Sequence, residues 1–206
     1  IAIGTTAMDA LTTGACNIGI GKDALGAAIA GELNVAIGCK ALGTNANAGG
    51  DYNIAIGDTA MGDCTGAAQD NIAMGRVALR LNRSGNSNIA LGYAAADALI
   101  TGQCNIAIGE DALGGSTTGS YNIAIGANAI GTGALEAHYN VVIGLSAGVT
   151  MTTASRNVAI GNDAGNALIG GSCNTFLGYA AGNNVESGTW NIAIGANSMN
   201  GANVSG

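Results

Sequence analysis

The sequence predicts an all-β fold, a parallel β-solenoid of about twelve coils with about 17 residues in each coil. Three observations support this prediction. An Asn recurs every 17 to 19 residues, a Gly follows it by four residues in every repeat, and the residues between them are mostly aliphatic or Ala. A fixed period of this length is typical of a solenoid, in which each repeat forms one coil. We therefore expect a single repeat domain, residues 1–206, taken from a longer array.

The first element of each repeat is predicted to be a short strand. We number each repeat from its Asn as position 0, so that positions 1 to 3 usually read Ile-Ala-Ile, as in Ile54-Ala55-Ile56. Side chains alternate across a strand, which places positions 1 and 3 on one bulky, apolar face, and position −1 joins them. The Asn and the small residue at position 2 share the opposite face. The Asn residues are Asn17, Asn34, Asn53, Asn71, Asn88, Asn105, Asn122, Asn140, Asn157, Asn174 and Asn191.

A corner is predicted after each strand, because position 4 is Gly in all twelve repeats. Such a Gly suits a turn with positive φ or a close approach of a neighbouring backbone. Position 7 is Ala in eleven repeats and position 8 is usually Leu, Met or Ile, which predicts a second short strand. A further Gly near position 14 predicts a second turn. Each coil is thus expected to run strand, corner, short strand and loop.

The recurring Asn and Gly are predicted to have a structural role. Stacked amides can bond to the next coil and to the backbone of a turn, which explains an Asn column without a ligand. Positions 0 to 3 carry no charge in any repeat, so we expect one face of the strand to line the coil interior and the other to pack against a second copy of the chain. The pattern leaves open which face points inward. Representative residues of the structural repeat are Asn17, Asn53, Asn105, Asn122, Gly21, Gly57, Gly109 and Gly126.

Composition excludes two classes of function. Thirteen acidic and six basic residues give a net charge of −7, and the acidic excess argues against binding to nucleic acid. No apolar run approaches the roughly 20 residues that a membrane-spanning helix requires. Charged residues also avoid positions 1 to 4 and concentrate at positions 5 and 6 or from position 9 onward. The predicted partner is therefore another protein or a carbohydrate.

No catalytic, cofactor or metal site is predicted. His138 is the single histidine, and no nucleophile is placed relative to it by a recognisable motif, so a role as catalytic base is the weakest interpretation. The five cysteines form no Cys-x-x-Cys pair and have no paired His that would bind zinc. Cys16, Cys104 and Cys173 share position −1 but lie too many coils apart for a disulfide. We expect these three to be buried small hydrophobic residues, with an interchain bond or a free thiol left open.

The sequence of the repeat resembles those of two related families. The segments 53–57, 105–113 and 174–182, with sequences such as Asn-Ile-Ala-Ile-Gly, are similar to the shaft repeats of bacteriophage and bacterial tail fibres and to the heads of YadA-like trimeric autotransporter adhesins. The adhesin heads have slightly shorter coils, so the tail-fibre shaft, with its Thr-Gly-x-x-Asn linkers, is the closer match. The resemblance implies a left-handed parallel β-roll, three chains side by side, and binding duties on the surface or at a tip.

The leading hypothesis is a structural, extracellular or virion-associated fibre segment. It would form a homotrimeric rod that spaces an adhesive tip from its anchor or that itself contacts a cell-surface receptor or glycan. A second hypothesis is a solenoid that binds ice or a glycan on one flat face; the Thr pairs such as Thr117-Thr118 suggest it, but equivalent positions break the row. A self-assembling extracellular filament is a third. An acyltransferase of the hexapeptide-repeat type would need an aliphatic residue every six positions, which is not found.

Overall fold

The computed structural model describes residues 1–27, 30–43, 50–131 and 136–200, and it confirms the all-β parallel solenoid. Each coil contributes one strand, and the strands form a single twelve-stranded parallel sheet in sequence order. The strands are β1 (Ala2–Ile3), β2 (Ile18–Ile20), β3 (Val35–Ile37), β4 (Ile54–Ile56), β5 (Ile72–Met74), β6 (Ile89–Leu91), β7 (Ile106–Ile108), β8 (Ile123–Ile125), β9 (Val141–Ile143), β10 (Val158–Ile160), β11 (Thr175–Leu177) and β12 (Ile192–Ile194).

Equivalent positions of successive coils are stacked in register. Ile106, Ala107 and Ile108 pair with residues 123, 124 and 125 of the next strand, and the same register runs through the sheet. The strand donates hydrogen bonds in both directions along the stack: the Ile106 N–H bonds to the Asn122 carbonyl oxygen at 2.8 Å, and the Gly109 N–H bonds to the Leu91 carbonyl oxygen at 2.9 Å. Each position of the repeat thus becomes a straight column along the rod.

The Gly column at position 4 serves both purposes that the sequence allowed. Gly109 has a φ of +131°, and a Cβ built on it would lie 2.7 Å from the carbonyl carbon of Gly126 in the next coil. A side chain at this corner would need both a strained backbone and a wider spacing between coils. Both requirements recur from Gly4 to Gly178, which explains why no other residue stands in these corners.

The second short strand predicted around positions 7 and 8 is wrong. Positions 6 and 8 adopt the left-handed conformation instead, as at Asp111 with φ 52° and Leu113 with φ 56°. The chain here forms consecutive turns rather than an extended segment. Its backbone still bonds to both neighbouring coils, since the Asp111 N–H reaches the Tyr93 carbonyl oxygen and the Leu113 N–H reaches the Ala129 carbonyl oxygen. Hydrogen bonds between stacked turns, rather than strand pairing, therefore satisfy the backbone polar groups on this side of the solenoid.

The interior is lined by the small face of the strand, which settles the question that the sequence left open. Ala at positions 2 and 7 and Asn at position 0 are buried, together with one large residue from position 8 or 11. Where position 8 is Leu113, position 11 is the small Ser116; where position 8 is Gly165, position 11 is Leu168. This exchange keeps the volume of each coil nearly constant, as a close-packed core requires.

Phe176 illustrates the same compensation between coils. It replaces the usual Ala at position 2, and its ring fills the space beside two glycines at position 8: a Cβ on Gly182 would lie 2.5 Å from the ring, and one on Gly165 would lie 2.9 Å from it. Phe176 itself is fully buried. The core therefore accepts the bulky ring of Phe176 because position 8 has no side chain either in the same coil or in the preceding one.

The predicted amide ladder is present along the Asn column. Asn105 donates from its backbone N–H and from Nδ2 to Oδ1 of Asn88, both at 3.0 Å, and its Nδ2 also reaches the Gly119 carbonyl oxygen at 2.8 Å. The same three bonds recur at Asn122 and Asn140. Each of these Asn thus joins its own second turn to the preceding coil, which is the structural role predicted for Asn53, Asn105 and Asn122. Asn17, at the start of the ladder, donates to the Gly31 carbonyl oxygen of its own second turn and accepts from the Asn34 N–H of the next coil.

Candidate functional site

The outer face of the sheet is the most distinctive surface of the molecule. The residues at positions 1 and 3, such as Ile106 and Ile108, point away from the core and remain half-buried only because they pack on their neighbours in the same column. Charged residues are absent from both columns in all twelve strands. The face is therefore a flat apolar strip that runs the length of the sheet.

Two columns border this strip, at positions −1 and 5, and they hold the exposed aromatic residues. Among the residues that the structure describes, fifteen large hydrophobic side chains are exposed, and all except Ile169 lie at positions −1, 1, 3 or 5. The sequence analysis placed position −1 on this face but missed position 5, where it noted only charges; Tyr at equivalent places in two repeats was the available signal. The exposed aromatic residues are Tyr52, Tyr121, Tyr139 and Trp190 at position −1 and Tyr93 and Tyr179 at position 5.

Position −1 has an unusual backbone that keeps its side chains on the surface. Tyr121 has a φ of 61° and Tyr139 a φ of 59°, in the left-handed region that non-Gly residues seldom adopt. The Tyr121 N–H donates to the Gln103 carbonyl oxygen of the preceding coil at 2.9 Å, which holds this conformation. The side chain that results is solvent-exposed although it stands directly before a buried Asn.

Aromatic rings and arginines stack along these border columns. The rings of Tyr121 and Tyr139 are parallel within 2°, with centroids 5.0 Å apart, and the Arg156 guanidinium lies 5.7 Å from the Tyr139 centroid. On the other border, the Arg76 guanidinium lies 4.5 Å from the centroid of Tyr93. Stacking of this kind orders long side chains on a surface before any partner arrives.

The prediction that the cysteines at position −1 are buried is wrong. Cys16 and Cys104 are exposed and Cys173 is half-buried, because the left-handed backbone turns position −1 toward solvent. None of the five cysteines forms a disulfide, and Cys39 at position 5 is also exposed. Only Cys64, at position 11, is buried, and burial together with the neighbouring Asp63 raises the pKa of its thiol far above the ordinary value. The solvent-accessible thiols thus flank the apolar strip.

His138 makes a structural contact. Its Nδ1 accepts a hydrogen bond from the Ser120 backbone N–H at 3.1 Å, and the residue is half-buried at the second turn. The carboxylate nearest to it in sequence, Glu136, is exposed, while Leu135 lies outside the described residues.

Charged side chains lie away from the strip centre. Arg80 bridges two carboxylates of adjacent coils, 3.5 Å from Asp63 and 3.6 Å from Asp97. The pKa of Asp97 is raised above its ordinary value, chiefly by partial burial. The Arg80 guanidinium opposes this rise, and the charge of Asp111 adds to it. A shallow groove of about 360 Å³ elsewhere on the rod is floored by Gly26, Gly43 and Gly62 and edged by polar side chains such as Thr6 and Lys40.

No arrangement of three or more metal-binding side chains occurs in the described part of the chain. Within residues 1–27, 30–43, 50–131 and 136–200 there is also no helix long and apolar enough to cross a bilayer. The fold and this surface define the class of protein as a parallel β-solenoid repeat protein. Comparisons with protein-family models, curated proteins and solved structures found no match.

Proposed function

We propose that this chain is a structural segment of an extracellular or virion-associated fibre, in which several copies associate through the outer face of the sheet to form a rigid rod. The observation that carries the proposal is the concentration of exposed large hydrophobic residues on one face, with Ile169 as the exception among the described residues. Contiguous apolar patches of this kind mark interaction sites on soluble proteins. Single scattered apolar residues would not require a partner.

The size of the face supports association between copies. Twelve strands about 4.8 Å apart span about 53 Å, and the six residue steps from position −1 to position 5 span at most about 20 Å, which gives up to about 1,060 Å². A standard interface buries about 800 Å² on each partner. The face is thus large enough for a stable complex. Its uncharged centre and its border of Tyr, Trp and Arg also match the composition of protein interfaces.

We take the assembly to be a homotrimer with parallel chains, as the resemblance to tail-fibre shafts and adhesin heads implies. Closed symmetric assembly is the usual outcome for identical chains, and it leaves the polar sides of each coil in solvent. The rod would then space an adhesive tip from its anchor or present its polar sides to a receptor or glycan. In this role the chain needs stiffness and length, which stacked coils supply.

Light scattering coupled to size exclusion tests the proposal. At several concentrations and with reductant, the chain of 19.8 kDa is expected to elute with the mass of about three chains. Replacing outward-facing Ile108 by Lys is expected to shift the population toward monomer, because a charge would enter the interface. Ile169→Lys is the matched control, since Ile169 is exposed but off the face. A monomer at all concentrations, or equal behaviour of both variants, would refute the proposal.

A further inference from the structure

The apolar strip by itself cannot align neighbouring chains along the rod. Each coil presents nearly the same pair of aliphatic residues, so a chain displaced by one coil would lose only one rung of contact among twelve. A repeating face is weakly specified against such slips. If the proposed self-association is correct, as this inference requires, the residues that do not repeat must set the alignment.

Those residues stand in the two border columns. Parallel chains around a rotation axis form heterologous contacts, in which one edge of the face meets the opposite edge of the next chain. The position −1 edge of one chain therefore meets the position 5 edge of its neighbour. Chains that are related by rotation alone have residues of the same coil at the same height, whereas a contact displaced by one coil would not close into a ring of three.

Charge complementarity favours the coil-for-coil alignment over small displacements. Asp70 is at position −1 and Arg76 is at position 5 of the same coil, and both are exposed. A displacement of one coil in one direction would set Asp70 against Asp58, a like-charge contact, and in the other direction against the uncharged Tyr93. A displacement of three coils would pair Asp70 with Lys22 but would give up three rungs of the apolar strip, so among displacements of up to two coils only the aligned arrangement pairs opposite charges.

Apolar contacts at the same edges agree with that alignment. Tyr121 would meet Ala127, and Tyr139 would meet Leu145, which is one of the exposed hydrophobic residues at position 5. The stacked pair Tyr121–Tyr139 presents a pre-ordered surface to its neighbour, which lowers the entropic cost of the contact.

We propose that in the assembled rod Asp70 of one chain pairs with Arg76 of the next, and that this contact, with the tyrosines at position −1, sets the axial alignment of the chains. Arg76 is held in place for this contact by stacking on Tyr93 of its own chain. Within one chain the two residues lie at opposite edges of the face, six residue steps apart, which is at most about 20 Å of extended chain. The salt bridges among the described residues involve Arg80 and not these two, so energetic coupling between Asp70 and Arg76 is expected to act between chains.

A charge-reversal cycle tests the pairing. Asp70→Arg and Arg76→Asp are each expected to raise the concentration at which half of the chains are assembled by about tenfold, since each trimer contains three such contacts. The double variant is expected to recover most of that loss, and the effect of each single change is expected to shrink at high salt. Glu186→Arg, at an exposed position off the face, is the matched control and is expected to change little.

The outcomes separate this inference from the proposed function. If the unsubstituted chain assembles but the single reversals behave like Glu186→Arg, or the double variant shows no recovery, the pairing is refuted while self-association stands. If the unsubstituted chain does not assemble, the proposed function fails first. Circular dichroism of each variant as a dilute monomer keeps the result interpretable, because these exposed residues do not contribute to the core.

Discussion

Removing one rung of the amide ladder should show how strongly successive coils are joined. In Asn122→Ala the chain loses the bond from Nδ2 to the Ala137 carbonyl oxygen, 2.8 Å, and the Oδ1 acceptor that serves both the backbone N–H and Nδ2 of Asn140 at 3.1 Å. The Ala137 carbonyl and the Asn140 N–H are then left without partners in a dry interior. At about 1–3 kcal/mol for each buried unpaired group, the loss is about 4 kcal/mol.

Asn191→Ala provides the matched control. Asn191 is half-buried and its described side-chain bond is the one from Nδ2 to Oδ1 of Asn174, at 3.0 Å. Its removal is expected to cost about 1 kcal/mol. Urea unfolding followed by circular dichroism, with both variants at the same protein concentration, gives the two differences in free energy. Amide exchange at Asn140 should also accelerate in Asn122→Ala. Equal losses for the two variants would refute the ladder as the main join between coils.

Further changes test the corner, the thiols and the charge balance. Gly109→Ala is expected to lower the free energy of unfolding by about 3 kcal/mol or more, because of its φ of +131° and its contact with the next coil, whereas Gly114→Ala should cost about 1 kcal/mol or less; urea midpoints measure both. Cys104 is expected to react with a maleimide in the native protein and Cys64 only after unfolding, as mass spectrometry of peptides would show; native labelling of Cys64 would contradict its burial. Since burial raises the pKa of Asp97, the folded state holds its proton at a pH where the unfolded chain has lost it, so this group stabilises the fold increasingly as pH falls. Asp97→Asn should therefore flatten the gain in stability on mild acidification, and an unchanged pH profile would contradict this.

The architecture could be predicted from the sequence because it depends on residues that recur at equivalent positions of every coil. A Gly at every corner and an Asn before every strand are visible as a period, and stacking turns that period into the parallel sheet and the amide ladder. The second strand was mispredicted because an Ala-Leu pair such as residues 112–113 fits an extended segment as well as the left-handed turn that it forms. Backbone conformations of this kind leave no mark on residue type unless Gly is required.

The orientation of the strand could not be predicted because hydrophobicity and burial disagree here. The larger residues, such as Ile106 and Ile108, face outward, while Ala107 fills a coil too narrow for more. Burial of Cys104 was mispredicted for the same reason, since its apolar neighbours in sequence lie on the outer face. The bulkiest apolar face of a strand usually forms the core, and here the narrow coil places that face on the outside.

Small-angle X-ray scattering of the assembled protein separates side-by-side from end-to-end association. Association through the outer face predicts a rod about as long as one solenoid, about 53 Å for twelve strands, with a cross-section that contains about three chains. A particle with the cross-section of a single coil, whether short or extended into a filament, would contradict association through the outer face of the sheet.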